Sequence, residues 1–210
     1  MIPALDALAR LREGNLRFAH NRVSASATLS PARRAALVDG QEPFAIVLGC
    51  SDSRVPAELV FDQGLGDLFV IRVAGNVIAP SLVGSVEFAA SRFGTRLVVV
   101  MGHSQCGAVR ATLEELLGHT TTQSHNLRSI VDRILPPIKT LMLGRERMDI
   151  EALMPDAVRA NVLASTSHLR HGSELLEELV RQEGLLVVGA EYSLETGVVT
   201  FFEGVPTRAT

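Results

Sequence analysis

The chain has 210 residues, of which 47% are hydrophobic and 20% charged, with a formal net charge of −3. This predicts one globular domain over residues 1–210, and the lack of a basic excess disfavours nucleic-acid binding. No apolar run approaches the roughly 18 residues of a membrane span, and residues 1–20 do not read as a signal peptide, so we expect a cytoplasmic protein without membrane contact. Two cysteines exclude a disulfide-scaffolded secreted fold and leave one bridge, free thiols or metal ligation.

The helical segments follow from apolar residues spaced three and four apart. Leu5, Leu8 and Leu11 predict an amphipathic N-terminal arm over about residues 3–20. Further segments with helical spacing are Leu82–Phe93, Gln105–Leu117, Leu127–Leu143, Pro155–Arg170 and Glu174–Gln182. We expect Pro155 in a first helical turn, Ser173 as an N-cap and Gly184 just past a C-terminus.

Apolar runs rich in β-branched residues, with little polar alternation, predict strands that are buried on both faces. These runs are Phe44–Leu48, Leu68–Val73, Leu97–Met101 and Leu185–Val188. A fifth run, Val198–Phe202, follows the turn residues Glu195–Gly197 and predicts an antiparallel edge strand. The sequence therefore predicts an α/β fold, with a mainly parallel sheet of four strands, an added antiparallel edge strand and flanking helices.

Polar side chains directly follow the first and third of these strands. Cys50 and Asp52 come after the first, and His103 and Cys106 come after the third. Ligand sites of parallel sheets lie at the carboxyl ends of the strands, so we expect the four side chains to meet in one crevice. Two thiolates, an imidazole and a carboxylate form a zinc ligand set, although buried inert cysteines or a purely structural zinc site would use the same residues.

Arg54 favours a catalytic site over a structural one. A guanidinium two residues beyond Asp52 can form a bidentate pair with that carboxylate, which would draw it off zinc and leave the fourth position to water. Two thiolate ligands make the metal less electropositive than a three-histidine site does, so we expect the pKa of bound water to lie above about 7 and activity to rise towards alkaline pH.

The motif Cys50-Ser51-Asp52-Ser53-Arg54, together with His103-x-x-Cys106-Gly107, resembles the zinc site of the β-class carbonic anhydrases. The resemblance implies one zinc ion per chain and reversible hydration of carbon dioxide to bicarbonate by zinc-bound hydroxide. It further implies that Cys50, His103 and Cys106 are permanent ligands, and that Asp52 either ligates zinc or orients the hydroxide. Arg54 would hold Asp52.

The same resemblance implies further site residues. Gln63 matches a glutamine that binds substrate from across a dimer interface in plant-like members, with a turn residue before Gly64 as the alternative. Gly107 is also expected to bind substrate. Val77 and Phe88 would line an apolar carbon dioxide pocket, with core packing as the alternative. Family members are homodimers or tetramers of dimers, and the N-terminal arm would pack over the partner.

Some family members are regulated by bicarbonate bound to a tryptophan, an arginine and a tyrosine. Arg72 and Tyr192 match two of these positions, but Val47 stands at the third and the chain has no tryptophan. The plant-like subgroup is therefore favoured over the bicarbonate-regulated one, and we expect the water-bearing form of the site at neutral pH.

Two alternatives remain open from the sequence. A relative with the same chemistry could hydrolyse carbonyl sulfide or carbon disulfide, since each presents a linear electrophilic carbon. A non-catalytic zinc or redox-sensing protein could use Cys50 and Cys106, although such a protein does not need Asp52 and Arg54.

Overall fold

A five-stranded sheet forms the centre of the fold in the computed structural model, which describes residues 2–22, 30–121, 124–144 and 149–206. The strands are β1 (Ala45–Gly49), β2 (Leu68–Arg72), β3 (Leu97–His103), β4 (Leu186–Tyr192) and β5 (Val199–Glu203). Their order is β2-β1-β3-β4-β5; the first four are parallel, and β5 pairs antiparallel with β4 at the edge. The predicted fold class is confirmed.

Helices flank this sheet. They are α1 (Ala4–Ala19), α2 (Pro31–Ala36), α3 (Ala57–Val60), α4 (Pro80–Arg92), α5 (Gly107–Leu116), α6 (His125–Leu141), α7 (Ile150–His171) and α8 (Glu174–Gln182). A 3₁₀ turn occupies Ala74–Asn76. Within the residues that the structure describes, none of the helices combines the length and the apolarity that crossing a bilayer demands.

Packing on both faces explains why the strand runs lack polar alternation. Val47, Val99 and Val188 point to one face, where they share a core with Leu8 and Leu11 of α1. Residues on the other face pack against α4, α7 and α8, and they include Ile46, Leu48, Val98 and Val100. Because successive side chains of a strand alternate between faces, a strand that is covered on both must be apolar throughout.

The structure adjusts several boundaries. Strands β3 and β4 extend beyond the predicted runs, because His103 and Tyr192 still pair across them. Ser173 caps α8 as predicted, since its hydroxyl accepts a hydrogen bond from the Leu176 N–H. The placement of Pro155 in a first helical turn is wrong, because α7 begins at Ile150 and Pro155 lies inside it.

At Pro155, the packing of neighbouring side chains outweighs the preference of proline for the first turn of a helix. A proline in a helix interior removes one backbone hydrogen bond. The side chains on either side of it, Leu153, Met154, Ala157 and Val158, are nonetheless buried in the core. Their burial extends α7 one turn before the proline.

The strand order places a crevice between β1 and β3. From β1 the chain continues to β2 on one side, and later returns to form β3 on the other. This reversal is a topological switch point, where ligands of open parallel sheets bind beyond the carboxyl ends of the strands. Gly49 and Met101 are paired residues near those ends, so Cys50 and His103 emerge next to each other.

Candidate active site

Cys50 follows β1 and is 5% exposed. Its sulfur accepts a hydrogen bond of 3.3 Å from the backbone N–H of Gly75, in the 3₁₀ turn. Gly75 has a φ of 69°, and a Cβ atom there would lie 2.7 Å from Cδ1 of Ile134. Both the backbone conformation and the space therefore require glycine at the position that donates to the sulfur.

His103 is the last residue of β3 and is fully buried. Its Nδ1 lies 2.9 Å from the carbonyl oxygen of Ser104, whereas Nε2 has no hydrogen-bond partner among the described residues. A neutral imidazole that donates from Nδ1 presents a lone pair at Nε2. A buried nitrogen in this state is suited to ligate a metal.

Cys106 is the N-cap residue of α5 and is 1% exposed. The backbone N–H groups of Val109 and Ala108, in the first turn of α5, act to lower the pKa of this thiol. The sequence spacing therefore places this thiol at a helix N-terminus, where a negative sulfur is stabilised.

One ligand atom from each of Cys50, His103 and Cys106 lies within 4.8 Å of the others. Zinc bonds to thiolate and imidazole are about 2.0 to 2.3 Å long, so atoms this close can reach a single ion between them. The donor set of two sulfurs and one buried unpartnered nitrogen fits zinc. Three protein ligands rather than four is the arrangement of catalytic zinc sites.

The two thiols share a hydrogen bond that sets their protonation. This bond lowers the pKa of Cys50 to about 4, and the hydrogen bond from the Gly75 N–H acts in the same direction. The same bond and burial raise the pKa of Cys106. Because a metal binds both sulfurs as thiolates, metal binding is coupled to proton release from the pair.

Asp52 and Arg54 form a bidentate pair beside this group. Arg54 donates from Nε to Oδ1 of Asp52 at 2.9 Å and from Nη2 to Oδ2 at 2.7 Å, while its backbone N–H also reaches Oδ1. These bonds hold the pKa of the Asp52 carboxyl well below its usual range. Oδ2 of Asp52 lies 3.9 Å from Nε2 of His103, so the carboxylate borders the metal ligands while paired with Arg54.

Arg72 holds the backbone of the same loop. Its Nε donates to the carbonyl oxygen of Cys50 at 3.0 Å, and its Nη2 donates to that of Asp52 at 2.6 Å. The sequence marks Arg72 only through the bicarbonate-binding set. The sequence feature that could have indicated this role is an arginine at the end of an apolar strand, one position before the loop that carries Gly75.

The remaining predicted residues differ in where they lie. Val77 is buried in a cluster with Cys50 and Cys106, and Gly107 begins α5 with open space where a Cβ atom would stand. The structure does not bring Phe88 to this cluster. Phe88 lies on α4, is 54% exposed, and contacts the ring of Phe69 in a tilted arrangement and the ring of Phe93 edge to face.

Gln63 lies next to α1, not beside the cysteines of its own chain. Its Nε2 donates to the carbonyl oxygen of Phe61 at 2.8 Å, and its Oε1 accepts from Nε of Arg10 at 3.0 Å. These bonds fix the amide, which is 8% exposed. Its predicted role toward the site of a partner subunit stays a prediction.

Comparisons with known proteins agree with this geometry. A family model described as carbonic anhydrase matches residues 45–199, a range that contains the cysteine, histidine, aspartate and arginine residues of the site. Carbonic anhydrase 2 of Mycobacterium tuberculosis is 38% identical over 187 residues, which span 89% of this chain and 87% of that protein.

Two solved structures share the fold. The β-carbonic anhydrase CafA of Aspergillus fumigatus has a TM-score of 0.75 at 23% identity, over 97% of this chain and 92% of that one. A structure described among two tetrameric β-carbonic anhydrases of Sordaria macrospora has a TM-score of 0.70 at 24% identity, over 85% of this chain and 89% of that one.

Proposed function

This chain belongs to the β-class carbonic anhydrase family and is a carbonate dehydratase, and we propose that it hydrates carbon dioxide at a zinc site held by Cys50, His103 and Cys106. The observation that carries this proposal is the convergence of three buried ligand atoms beside the Asp52–Arg54 pair. Bound zinc, one ion per chain, would lower the pKa of a water molecule and so supply a nucleophile near neutral pH.

Asp52 supplies a hydrogen-bond acceptor next to the ligands. Because Arg54 keeps its pKa low, the carboxyl group stays ionised throughout the physiological pH range and can accept a proton only in a hydrogen bond. An attacking water that donates to Asp52 is thereby oriented, with its free lone pair directed at carbon dioxide. Arg54 occupies both oxygens of Asp52 and keeps this carboxylate from serving as a fourth protein ligand.

We assign the apolar side of the substrate site to Val77, which shares a buried cluster with both cysteines. Carbon dioxide is apolar and linear, so an aliphatic wall binds it without competing for the polar groups. Open space at Gly107 leaves room for substrate at the start of α5.

We propose a homodimer or tetramer in which α1 packs over the partner subunit. Leu5 and Leu16 of α1 are 57% and 55% exposed, and burying such side chains favours association. The Sordaria macrospora structure is described as tetrameric. In such an assembly Gln63 would approach the partner's metal site.

Val47 favours the plant-like subgroup, because the regulated members have tryptophan at this position. Arg72 also favours it, because its guanidinium is already engaged and is not free to bind bicarbonate. The guanidinium of Arg72 is engaged by the loop carbonyls of Cys50 and Asp52. Two cysteines that serve as reduced ligands fit a reducing compartment, and we retain the cytoplasm as the proposed location.

The test is the initial rate of carbon dioxide hydration by zinc-quantified protein, measured by stopped flow from about pH 6.5 to 9. We expect one zinc per chain and a rate that rises with pH. Asp52 does not titrate in this window, so the rise reports ionisation of the water. The family and the relatives do not favour the carbonyl sulfide hydrolase or the non-catalytic zinc protein. One zinc per chain without hydration at any pH, with carbonyl sulfide tested in parallel, would contradict the proposal.

A further inference from the structure

Two buried polar side chains of α7 hold the 3₁₀ turn over residues 74–76. Nδ2 of Asn161 donates to the carbonyl oxygen of Gly75 at 2.7 Å, and Oγ of Ser165 donates to that of Asn76 at 3.1 Å. Asn161 and Ser165 are 2% and 5% exposed. Helix α7 thus fixes a turn that lies more than 80 residues earlier in the chain.

The same turn supplies the hydrogen bond to a metal ligand. The N–H of Gly75 donates to the Cys50 sulfur at 3.3 Å, while the carbonyl of Gly75 is held by Asn161. Ile134 and Ala108 pack against the other side of Gly75, at 2.7 and 3.0 Å from where a Cβ atom would lie. The position of this N–H is therefore determined from both sides, and Asn161 provides the polar contact.

We propose that Asn161 is a positioning residue of the metal centre, which holds Gly75 so that its N–H donates to the Cys50 sulfur. A hydrogen bond to a thiolate withdraws negative charge from the sulfur, and this matters in a site with two thiolate ligands. Partners that lie behind metal ligands orient them and adjust how strongly they donate to the ion. This inference rests on the proposed function, because it takes Cys50 as a ligand.

A purely structural role for Asn161 has different consequences. An amide that only satisfies the turn would change folding stability when removed, but not the properties of a bound metal. The discriminating measurements are therefore the affinity for the metal and the absorption of a metal–sulfur bond. Neither measurement depends on catalytic turnover.

The experiment compares the wild-type protein with Asn161→Leu, which keeps the branched shape of the side chain and removes the donor. We expect zinc affinity, measured by competition with a chelator, to fall about 10-fold to 100-fold. In the Co²⁺-substituted protein, the sulfur-to-metal absorption band should move to longer wavelength, because a thiolate without its N–H donor is a stronger electron donor. Unchanged zinc affinity and an unchanged Co²⁺ spectrum in folded Asn161→Leu would overturn the inference.

Thr166→Val is the matched control. Thr166 lies on the same helix and is fully buried. Its hydroxyl donates a hydrogen bond to the carbonyl oxygen of Val162 in that helix. Its replacement should leave zinc affinity within about twofold of wild type. If Asn161→Leu does not fold, Asn161→Ser retains a polar group that is too short to reach Gly75, and the same two changes are expected.

A second measurement needs no substitution. In wild-type protein loaded with ¹¹³Cd and labelled with ¹⁵N, the N–H···S bond should give a scalar coupling between cadmium and the amide proton of Gly75. Absence of this coupling would overturn the inference while leaving the metal site intact. A wild-type protein that binds neither zinc nor cadmium would overturn the proposed function as well, so the two failures are distinguishable.

Discussion

The two segments that supply the metal ligands are held in place by different means. Side chains hold the segment over residues 50–54: Arg72 binds two of its carbonyl oxygens, and Arg54 pairs with Asp52. Backbone structure holds the segment over residues 103–106. His103 is still paired in the sheet, the Ser104 N–H donates to the carbonyl oxygen of Tyr192, and α5 begins directly after Cys106.

This difference separates two functions within one site. His103 and Cys106 have positions set by β3 and α5, so the binding of the metal is coupled to the fold itself. Asp52 has a position set by two arginine side chains, which can be replaced without disturbing the sheet. We therefore expect substitutions of His103 and Cys106 to remove the metal, and substitutions of Asp52 or of the arginines that hold it to impair the reaction while the metal stays.

The largest effect is expected for Cys106→Ser. A serine hydroxyl does not ionise near neutral pH and is a poor zinc ligand, so zinc content should fall from one per chain to about one-tenth or less, and activity to background. Metal analysis after gel filtration measures this. Thr112→Val, which removes a buried hydroxyl on the same helix that is bonded only to its own helix, is the control and should keep zinc. Full zinc content in Cys106→Ser would refute the ligand assignment.

Asp52→Asn should retain zinc and lose activity by about 10²-fold to 10³-fold. The amide has the same shape as the carboxylate, but it is neutral and offers one oxygen instead of two, which weakens both the acceptor and the pairing with Arg54. Initial hydration rates per zinc measure the loss. Asp132→Asn, at an exposed carboxylate on α6, is the control. Wild-type rates in Asp52→Asn would contradict the role of this carboxylate.

Arg54→Ala should retain zinc and lower the hydration rate by about 10-fold to 100-fold, because Asp52 is then free to turn towards the metal. If this is the cause, the loss depends on the carboxylate. The double variant Arg54→Ala/Asp52→Ala should then be no slower than Asp52→Ala alone, so the two effects are not additive. A crystal structure of zinc-loaded Arg54→Ala with Asp52 away from the metal would contradict the proposal that Arg54 keeps Asp52 from ligating zinc.

The sequence is informative where chemistry and periodicity coincide. Uniformly apolar runs predicted the parallel strands, because a strand that is covered on both faces cannot alternate. The ends of those runs predicted the crevice in which the structure brings Cys50, His103 and Cys106 together. Local propensity misled at Pro155, since burial of the neighbouring side chains extends α7 past the position that proline prefers.

The supporting contacts were not predictable in the same way. The contacts of Arg72 and Asn161 are with backbone carbonyl oxygens 20 to 86 residues away, and a hydrogen bond to a carbonyl leaves no spacing pattern. One signal was present nonetheless. Asn161 and Ser165 are polar residues on a helix stripe that otherwise buries Val158 and Leu169, and such residues need a partner inside the protein.

Arg72 gives the smallest predicted effect and the sharpest test of the difference between the two segments. In Arg72→Ala the loop keeps other anchors, since the Ser51 N–H donates to the carbonyl oxygen of Val73 and the Val55 N–H to that of Asp52. We expect kcat to fall about fivefold to tenfold with zinc retained, as the backbone that carries the Asp52 acceptor loosens. Arg72→Lys should behave almost as Arg72→Ala, because a point-charge ammonium cannot bind two carbonyl oxygens in the geometry of a planar guanidinium.

Measurement of kcat, KM and zinc content together decides the Arg72 prediction. Arg92→Ala, at an exposed arginine in the last turn of α4, is the control for loss of one positive charge. A wild-type kcat in Arg72→Ala would mean that backbone contacts alone keep residues 50–54 in place. The two segments would then not differ in being held by side chains and by backbone structure. Loss of zinc in Arg72→Ala would also contradict this distinction. It would mean that the contacts of Arg72 position Cys50 as a metal ligand as well as orienting Asp52.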